Sequence, residues 1–300
     1  MKKREKKPLV KAPGTAEEKV YKAPRGYARS VAKIVKRERE QPSLFNASGL
    51  LLLEETHRTA IGRNAAALGT YLFQLLKDGE ETIPIRNLTA LAEKFNTTNS
   101  EIKLYLLALG GFTYPVVTLE NDNLRLSVEQ FFKIDVIYGK KTQDRYNRGE
   151  LTMAGTSLLK MIVNEAPKEI LVTPNRNFVL SLTGKGQGYT LLKQDKYTKL
   201  SLQLSDLGYK LQEYSSTQPR SYKIKEPNLI KALAIEAQVK KQGAPYMRGK
   251  IHEALEQLKT HGYLTEYSYD KETGLYKWIV SGEYIQHGKL VGPVTEPGID

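Results

Sequence analysis

The chain contains no cysteine. That excludes a disulfide framework, a thiolate nucleophile, an iron–sulfur cluster and any zinc site built on sulfur, and it fits a reducing cytoplasm. Histidine is scarce as well. His57, His252, His261 and His287 are the only four, and no two stand at HxH or HExxH spacing, so the sequence predicts no metal and no cofactor. The 18 tyrosines lack the histidine cluster a nicking enzyme needs, and no Arg/His/Tyr spacing suggests a recombinase, so no catalytic residue is expected. Long apolar runs are missing too. Leu50–Leu53 and Leu104–Phe112 fall far short of the roughly 20 residues of a membrane span, and no apolar segment or small-residue cleavage site follows the basic start MKKREKKPLV. A soluble, cytoplasmic protein without a membrane partner is the expectation.

Positive charge is what the chain has in excess. Its 300 residues, enough for two domains, carry 46 Lys+Arg against 33 Asp+Glu, a net +13, which suggests a polyanionic partner. The excess is uneven. Residues 1–40 hold 14 basic and 5 acidic side chains; residues 41–130 are net −3, 131–216 net +5, 217–261 net +5 and 262–300 net −3. Pro8, Pro13, Gly14, Pro24 and Gly26 interrupt the first segment, which reads as a disordered arm over 1–42. In it Lys2, Lys3, Arg4, Lys6, Lys7, Lys33, Lys36, Arg37 and Arg39 are candidate nonspecific phosphate contacts, with Tyr21 and Tyr27 available to stack on bases.

Residues 58–77 repeat apolar side chains at Ile61, Ala65, Leu68, Leu72, Leu75 and Leu76, the spacing of an amphipathic helix. A short alternating TIPI (82–85) follows, then Asn87 as N-cap of LTALAEKF, then a polar turn from which Asn99 or Ser100 caps a third helix through Leu109, stopped by Gly110-Gly111. YPVVTLE (114–120) and LRLSVEQFFKIDVIY (124–138), joined by Asn121-Asp122-Asn123, read as a β-hairpin. Residues 139–149, GKKTQDRYNRG, read as a hinge. Beyond it the pattern predicts a helix over Leu151–Asn164 and strands at 170–172, 178–182 and 189–193. The cluster Gly184-Lys185-Gly186-Gln187-Gly188 lacks the Walker pattern and reads as a hairpin turn rather than a phosphate cradle. A strand over Lys199–Leu204 and a helix capped at Ser205-Asp206 echo TIPIRNLTALAEKF, a weak internal repeat. Pro227–Lys241 is helical in pattern, Gly243-Ala244-Pro245 breaks it, and a helix over Tyr246–His261 ends at Gly262 as C′ glycine. LTEYSYD (264–270) and LYKWIVS (275–281) form a second hairpin.

Helix, short strand, helix, helix, hairpin is the order of a winged helix-turn-helix domain, and it occurs twice. The expected fold is α+β, with a first winged-helix domain over 43–140, a hinge over 141–149, a second winged-helix domain over 150–288 and a tail over 289–300. Two such units, carried by TIPIRNLTALAEKFNTTNSEIKLYLLAL and GKIHEALEQLKTHGYLTEYSYDKETGLYKWIVS, resemble the tandem winged-helix replication initiators of iteron-type plasmids. The resemblance implies binding to DNA repeats at an origin, a first domain serving in dimerisation, a monomer–dimer equilibrium, host replication proteins as partners, and a bacterial cytoplasm with plasmid or nucleoid association. A transcription or partition regulator has the same pattern, and a structural protein binding nucleic acid through the arm alone is the reading of another class.

A winged helix places its third helix in the major groove. In the second unit Ile251, Leu255 and Leu258 fall inward, leaving Tyr246, Gly249, Glu253, Glu256 and Thr260 outward and Arg248, His252, Lys259 and Lys250 on the flanks. Tyr246, Arg248, Gly249 and Lys250 are the expected base or phosphate contacts, with Lys240, Lys241, Lys259, Lys271 and Lys277 on the backbone. The third helix of the first unit has Ile102, Leu106 and Leu109 inward but also Leu104 and Leu107 opposite, which points to dimerisation or docking. If it reads DNA instead, Asn99, Ser100 and Lys103 are the contacts.

Overall fold

A computed structural model describes residues 20–35, 61–76, 80–111, 113–120, 123–150, 165–183, 188–193 and 195–291, with backbone only at 113–120, 123–129 and 287–291. The fold is α+β with small antiparallel sheets. In chain order the first half comprises β1 (Val20–Pro24), α1 (Arg25–Ile34), α2 (Arg63–Leu75), β2 (Ile83–Ile85), α3 (Leu88–Lys94), α4 (Asn99–Gly111), β3 (Thr113–Glu120), β4 (Asn123–Gln130), β5 (Phe132–Tyr138) and α5 (Lys140–Asn147). Then come β6 (Pro167–Pro174), α6 (Arg176–Leu182), β7 (Tyr189–Lys193), α7 (Lys196–Gln203), α8 (Asp206–Ser216), β8 (Ser221–Lys225), α9 (Glu226–Ala232), α10 (Glu236–Gln242), α11 (Ala244–Thr260), β9 (Leu264–Asp270), β10 (Leu275–Val280) and β11 (Ile285–Val291). The sheets run β1-β7-β11, β2-β6-β5, β3-β4 and β8-β10-β9.

The expected arm is folded where it is described. β1 pairs with β7 from Val20↔Lys193 to Pro24↔Tyr189, and α1 buries Tyr27, Ala28, Val31 and Ala32. Tyr21 and Tyr27 are core residues, not base-stacking ones. Tyr27 sits edge-on to Phe73, Phe131, Phe132 and Phe178 with ring centres 5.3 to 5.8 Å apart, and its hydroxyl donates to Ala66 O at 2.8 Å. Such a cluster outweighs the Pro and Gly that suggested disorder. Lys33 remains exposed; Lys2, Lys3, Arg4, Lys6, Lys7, Lys36, Arg37 and Arg39 lie outside the described residues.

Further expectations change for local reasons. The hinge segment contains helix α5. The run 124–138 splits at Phe131, where two adjacent phenylalanines are both buried and interrupt the alternation; β4 pairs with β3, whereas β5 pairs with β6. The β3–β4 hairpin pairs with nothing else among the described residues, and β2 pairs with β6. FVLSL is helical because Asn175 caps α6 at Asn177 N, and Phe178 and Ser181 are its buried face. Residues 199–203 belong to helix α7 and Leu204 is its C-cap, with Tyr197, Leu200, Ser201 and Leu204 buried, so the repeat loses its strand and keeps only its capped helix. β7 pairs with β1 and β11 rather than with 178–182, which removes the expected hairpin; Gly184–Gln187 and Leu151–Asn164 lie outside the described residues. The helix over 227–241 is two helices, broken at Ala234 with φ 50°. Thr98 rather than Asn99 or Ser100 caps α4: its hydroxyl accepts from Glu101 N at 3.2 Å and its N–H donates to Glu101 Oε2 at 3.1 Å, a capping box.

At the centre, Glu213 of α8 is fully buried. Thr70 Oγ1 donates to its Oε1 at 3.4 Å, and Oε2 has no hydrogen-bond partner. Burial pushes the carboxyl up to about 8, against the hydroxyls of Tyr209, Thr70 and Tyr197, which pull it down. The folded protein therefore holds a proton that the unfolded chain releases near its ordinary value of about 4.3. Stability from this group is complete below that value and is lost as pH rises to about 8. Denaturant unfolding across pH 5 to 9 is expected to lose on the order of a few kcal/mol over this window, and Glu213→Gln to flatten the profile.

Gly69 of α2 faces Tyr27: a Cβ there would fall on the Tyr27 hydroxyl and 2.6 Å from Cζ. Gly69→Ala ordinarily gains about 1 kcal/mol in a helix. Here it is expected to destabilise by about 2–3 kcal/mol, with partial rescue by Tyr27→Phe, measured by urea denaturation.

Candidate nucleic-acid interface

The C-terminal elements build one surface. Strand β8 leads directly into α9, and Gly243, at φ 88°, turns the chain from α10 into α11, with Pro245 in the first turn of that helix. Met247, Ile251, Ala254, Leu255 and Leu258 are the buried face of α11. Tyr246, Gly249, Glu253, Glu256 and Thr260 are exposed, as the 100° spacing predicts. The sheet turns Tyr276, Trp278, Ile224 and Leu264 inward, and it turns Lys223, Lys225 and Lys277 outward, with Lys223 directly opposite Lys277.

One cluster locks helix and hairpin together. Glu226, the first residue of α9, accepts from Arg248 Nε at 2.9 Å and Nη2 at 3.1 Å, and from the Tyr269 hydroxyl at 2.6 Å. The Arg248 guanidinium lies 5.6 Å from the Tyr269 ring centre. Glu226 N also donates to Gly274 O at 2.8 Å in the β9–β10 turn, and Asp270 shapes that turn by accepting from Glu272 N at 3.0 Å and from the Thr273 hydroxyl at 2.6 Å. Burial works to raise the Glu226 pKa, but the bonds from Arg248 and Tyr269 and the charge of Arg248 outweigh it and hold the carboxyl below its usual value. Burial, then the charges of Arg248 and Lys271, push the His252 imidazole below its usual value against Glu226. The flank facing the hairpin is thus rigid and its imidazole neutral at pH 7.

The expected contacts divide. Tyr246 is 50% exposed, and Lys241, Tyr246 and Lys250 line one groove with Gln238, Gln242 and Glu253 between α8, α10 and α11. Gly249 has open space where a Cβ would project. Lys240, Lys271 and Lys277 are exposed. Lys250 is paired with Glu253 at 2.6 Å, and Arg248 is held by Glu226, so its first role is structural. Lys259 lies in the last turn, about 20 Å along the helix from Tyr246, over the Tyr267 ring at 5.8 Å.

In the first half Asn99 and Ser100 are exposed at the start of α4, with Asn99 Nδ2 donating to Thr89 Oγ1 at 3.2 Å. Lys103 is a correction: it is 6% exposed, and its Nζ donates to Glu165 O at 2.8 Å, because it follows Ile102 into the core. Leu104 and Leu107 are half-buried. Sequence reasoning missed Lys223 and Lys225, although the alternation of SYKIK around Ile224 marks both as outward. It also missed Glu226, for which an acidic residue opening a helix was the available signal.

No family model, curated protein or solved structure matches this chain. Among the described residues no group of three or more His, Cys, Asp or Glu side chains is arranged to hold a metal, and no helix is long and apolar enough to cross a membrane.

Glu226→Ala is expected to lower stability by about 2 kcal/mol, because it orphans Arg248 and the Tyr269 hydroxyl. In a double-mutant cycle with Arg248→Ala, a coupling of about 1–2 kcal/mol measured by denaturation separates the ion pair from mere side-chain truncation.

Proposed function

We propose that the protein is a sequence-specific double-stranded DNA-binding protein whose residues 206–280 form a winged helix, and that it acts as a plasmid replication initiator at origin repeats. The observation that carries the reading is the arrangement of α8, β8, α9, α11, β9 and β10: helices packed on a sheet of order β8-β10-β9, with the outward N-terminal turns of α11 uncovered and the hairpin bonded to α9. In this reading α11 enters the major groove by its first turns, where Tyr246 and Gly249 meet base edges. Lys240, Lys241 and Lys250 hold phosphates beside it, and Lys271 at the hairpin turn holds the adjacent backbone. Glu253 and Glu256 keep the remainder of the helix off the phosphates. The initiator role, dimerisation through Leu104 and Leu107 and recruitment of host replication proteins rest on the architectural resemblance. A transcription or partition regulator shares the same DNA-reading module.

Gly249→Glu provides the test, since it adds charge and bulk at the docking face in open space. With the thermal midpoint unchanged or raised, it is expected to weaken specific binding at least about tenfold through a buried like-charge contact with phosphate. The double variant Lys240→Ala/Lys241→Ala is expected to weaken binding to all sequences alike and to reduce the salt slope by roughly 2. Selection of bound sites from random duplexes with the full chain reads the specificity; recovery of no motif, or a Gly249→Glu protein that binds like the parent, overturns the proposal.

A further inference from the structure

Arg25 opens α1 and is 1% exposed, yet its Nε and Nη2 have no hydrogen-bond partner. A guanidinium cannot shed its proton in a protein, so the group stays charged where an uncompensated charge is strongly disfavoured. Glu213 escapes the same difficulty by holding a proton; Arg25 has no such exit. Only an anion relieves it.

Among the described residues none supplies one. Burial first, and second the positive charge of Arg29, one helical turn on along the same face, push Arg25 below its usual pKa, with no carboxylate among the described residues opposing them. Among the described residues neither side chain forms a hydrogen bond or ion pair. The first turn of α1 carries no acid and no capping side chain. The strand before it contributes Lys22, whose Nζ is 5.1 Å from the Tyr189 ring centre. Arg29 also acts on the Tyr214 hydroxyl, which is 3.2 Å from that of Tyr222. Lys22 and Arg29 are both cationic, and the Tyr214 hydroxyl, its pKa raised by burial, is a neutral donor.

We propose that Arg25 and Arg29 bind a small oxyanion, a phosphate group, at the start of α1. Two adjacent guanidinium forks match the several acceptor oxygens and double charge of phosphate better than a halide. The site shares no residue with the face of α11 and does not depend on the DNA-binding reading. Its phosphate comes either from a free phosphate or nucleotide or from a nucleic-acid backbone.

The test uses the full chain and inorganic phosphate, with chloride at matched ionic strength as reference. Phosphate is expected to raise the thermal midpoint saturably and to give a binding isotherm by calorimetry, and Arg29→Gln to weaken that binding about tenfold, as loss of a charge-assisted bidentate contact does. Arg25→Met is expected to abolish the phosphate effect and, in phosphate-free buffer, to match or exceed the parent's midpoint, because it removes the uncompensated charge. Displacement of bound phosphate by a random-sequence duplex assigns the site to a nucleic-acid backbone; displacement by a mononucleotide but not by the duplex assigns it to a free phosphate or nucleotide. A parent midpoint indifferent to phosphate, or binding that Arg29→Gln leaves unchanged, overturns the proposal.

Discussion

Everything in the fold leans on α8, a polar helix buried from Gly208 to Ser216. A buried polar side chain disfavours folding unless it is hydrogen-bonded, and α8 meets that condition by drawing partners from elements distant in sequence. Lys210 Nζ donates to Leu233 O at 2.9 Å and Lys33 O at 3.3 Å, which satisfies carbonyls at the ends of α9 and α1. Gln212 accepts from the Ser201 hydroxyl at 2.9 Å and donates to Tyr197 O at 3.3 Å, both in α7. Ser215 meets the Tyr263 hydroxyl at 3.1 Å just before β9. Ser205 caps the helix by accepting from Gly208 N, and its N–H and hydroxyl donate to Gln257 Oε1 of α11. Residues 20–35 and the C-terminal elements are in place because this one helix requires both.

The same requirement shapes the exposed face of α11. The α8 contact seats the inner face of α11, so Tyr246, Gly249 and Lys250 point away from the core, while Glu226 spends Arg248 on holding the hairpin. A guanidinium bonded bidentately to a buried carboxylate is a strut; exposed lysines on the rim such as Lys240 and Lys241 are open to solvent. The basic residues therefore separate by partner rather than by charge. The +9 of the first 40 residues divides similarly: four of its cations stand in residues 20–35, a segment with no acid, and one of them, Arg25, is buried.

Legibility in the sequence followed how far each segment's neighbours decide its conformation. Helix α11 was readable in its face and to within two residues in its ends, expected over 246–261 and found over Ala244–Thr260: Ile251, Leu255 and Leu258 repeat at helical spacing, Gly243 and Gly262 bound the helix, and the β9–β10 alternation marks the hairpin. Helices α6 and α7 were not, because FVLSL and KLSLQL satisfy both a period of 2 and an i, i+3 spacing over so few residues; the cap at Asn175 and the packing of Tyr197 settled them. The segment 20–35 read as an arm because Pro24, Gly26 and its lysines dominate the composition. Its fold comes from Tyr21, Tyr27 and Val31 finding β7, α8 and four phenylalanines, contacts too far along the chain to leave a local pattern.

By itself the sequence determined the α+β class, the capped helix after Asn87, the third helix and hairpin of the C-terminal module, and the absence of sulfur chemistry, because each rests on residue inventory or on interactions within a few positions. Tertiary structure alone decided that residues 20–35 fold, that Lys103 and Arg25 are buried, that Arg248 is tied to Glu226, and that β7 joins β1 and β11. These depend on which surfaces exclude water together, and burial and charge pairing between elements separated by tens of residues are properties of the packed chain.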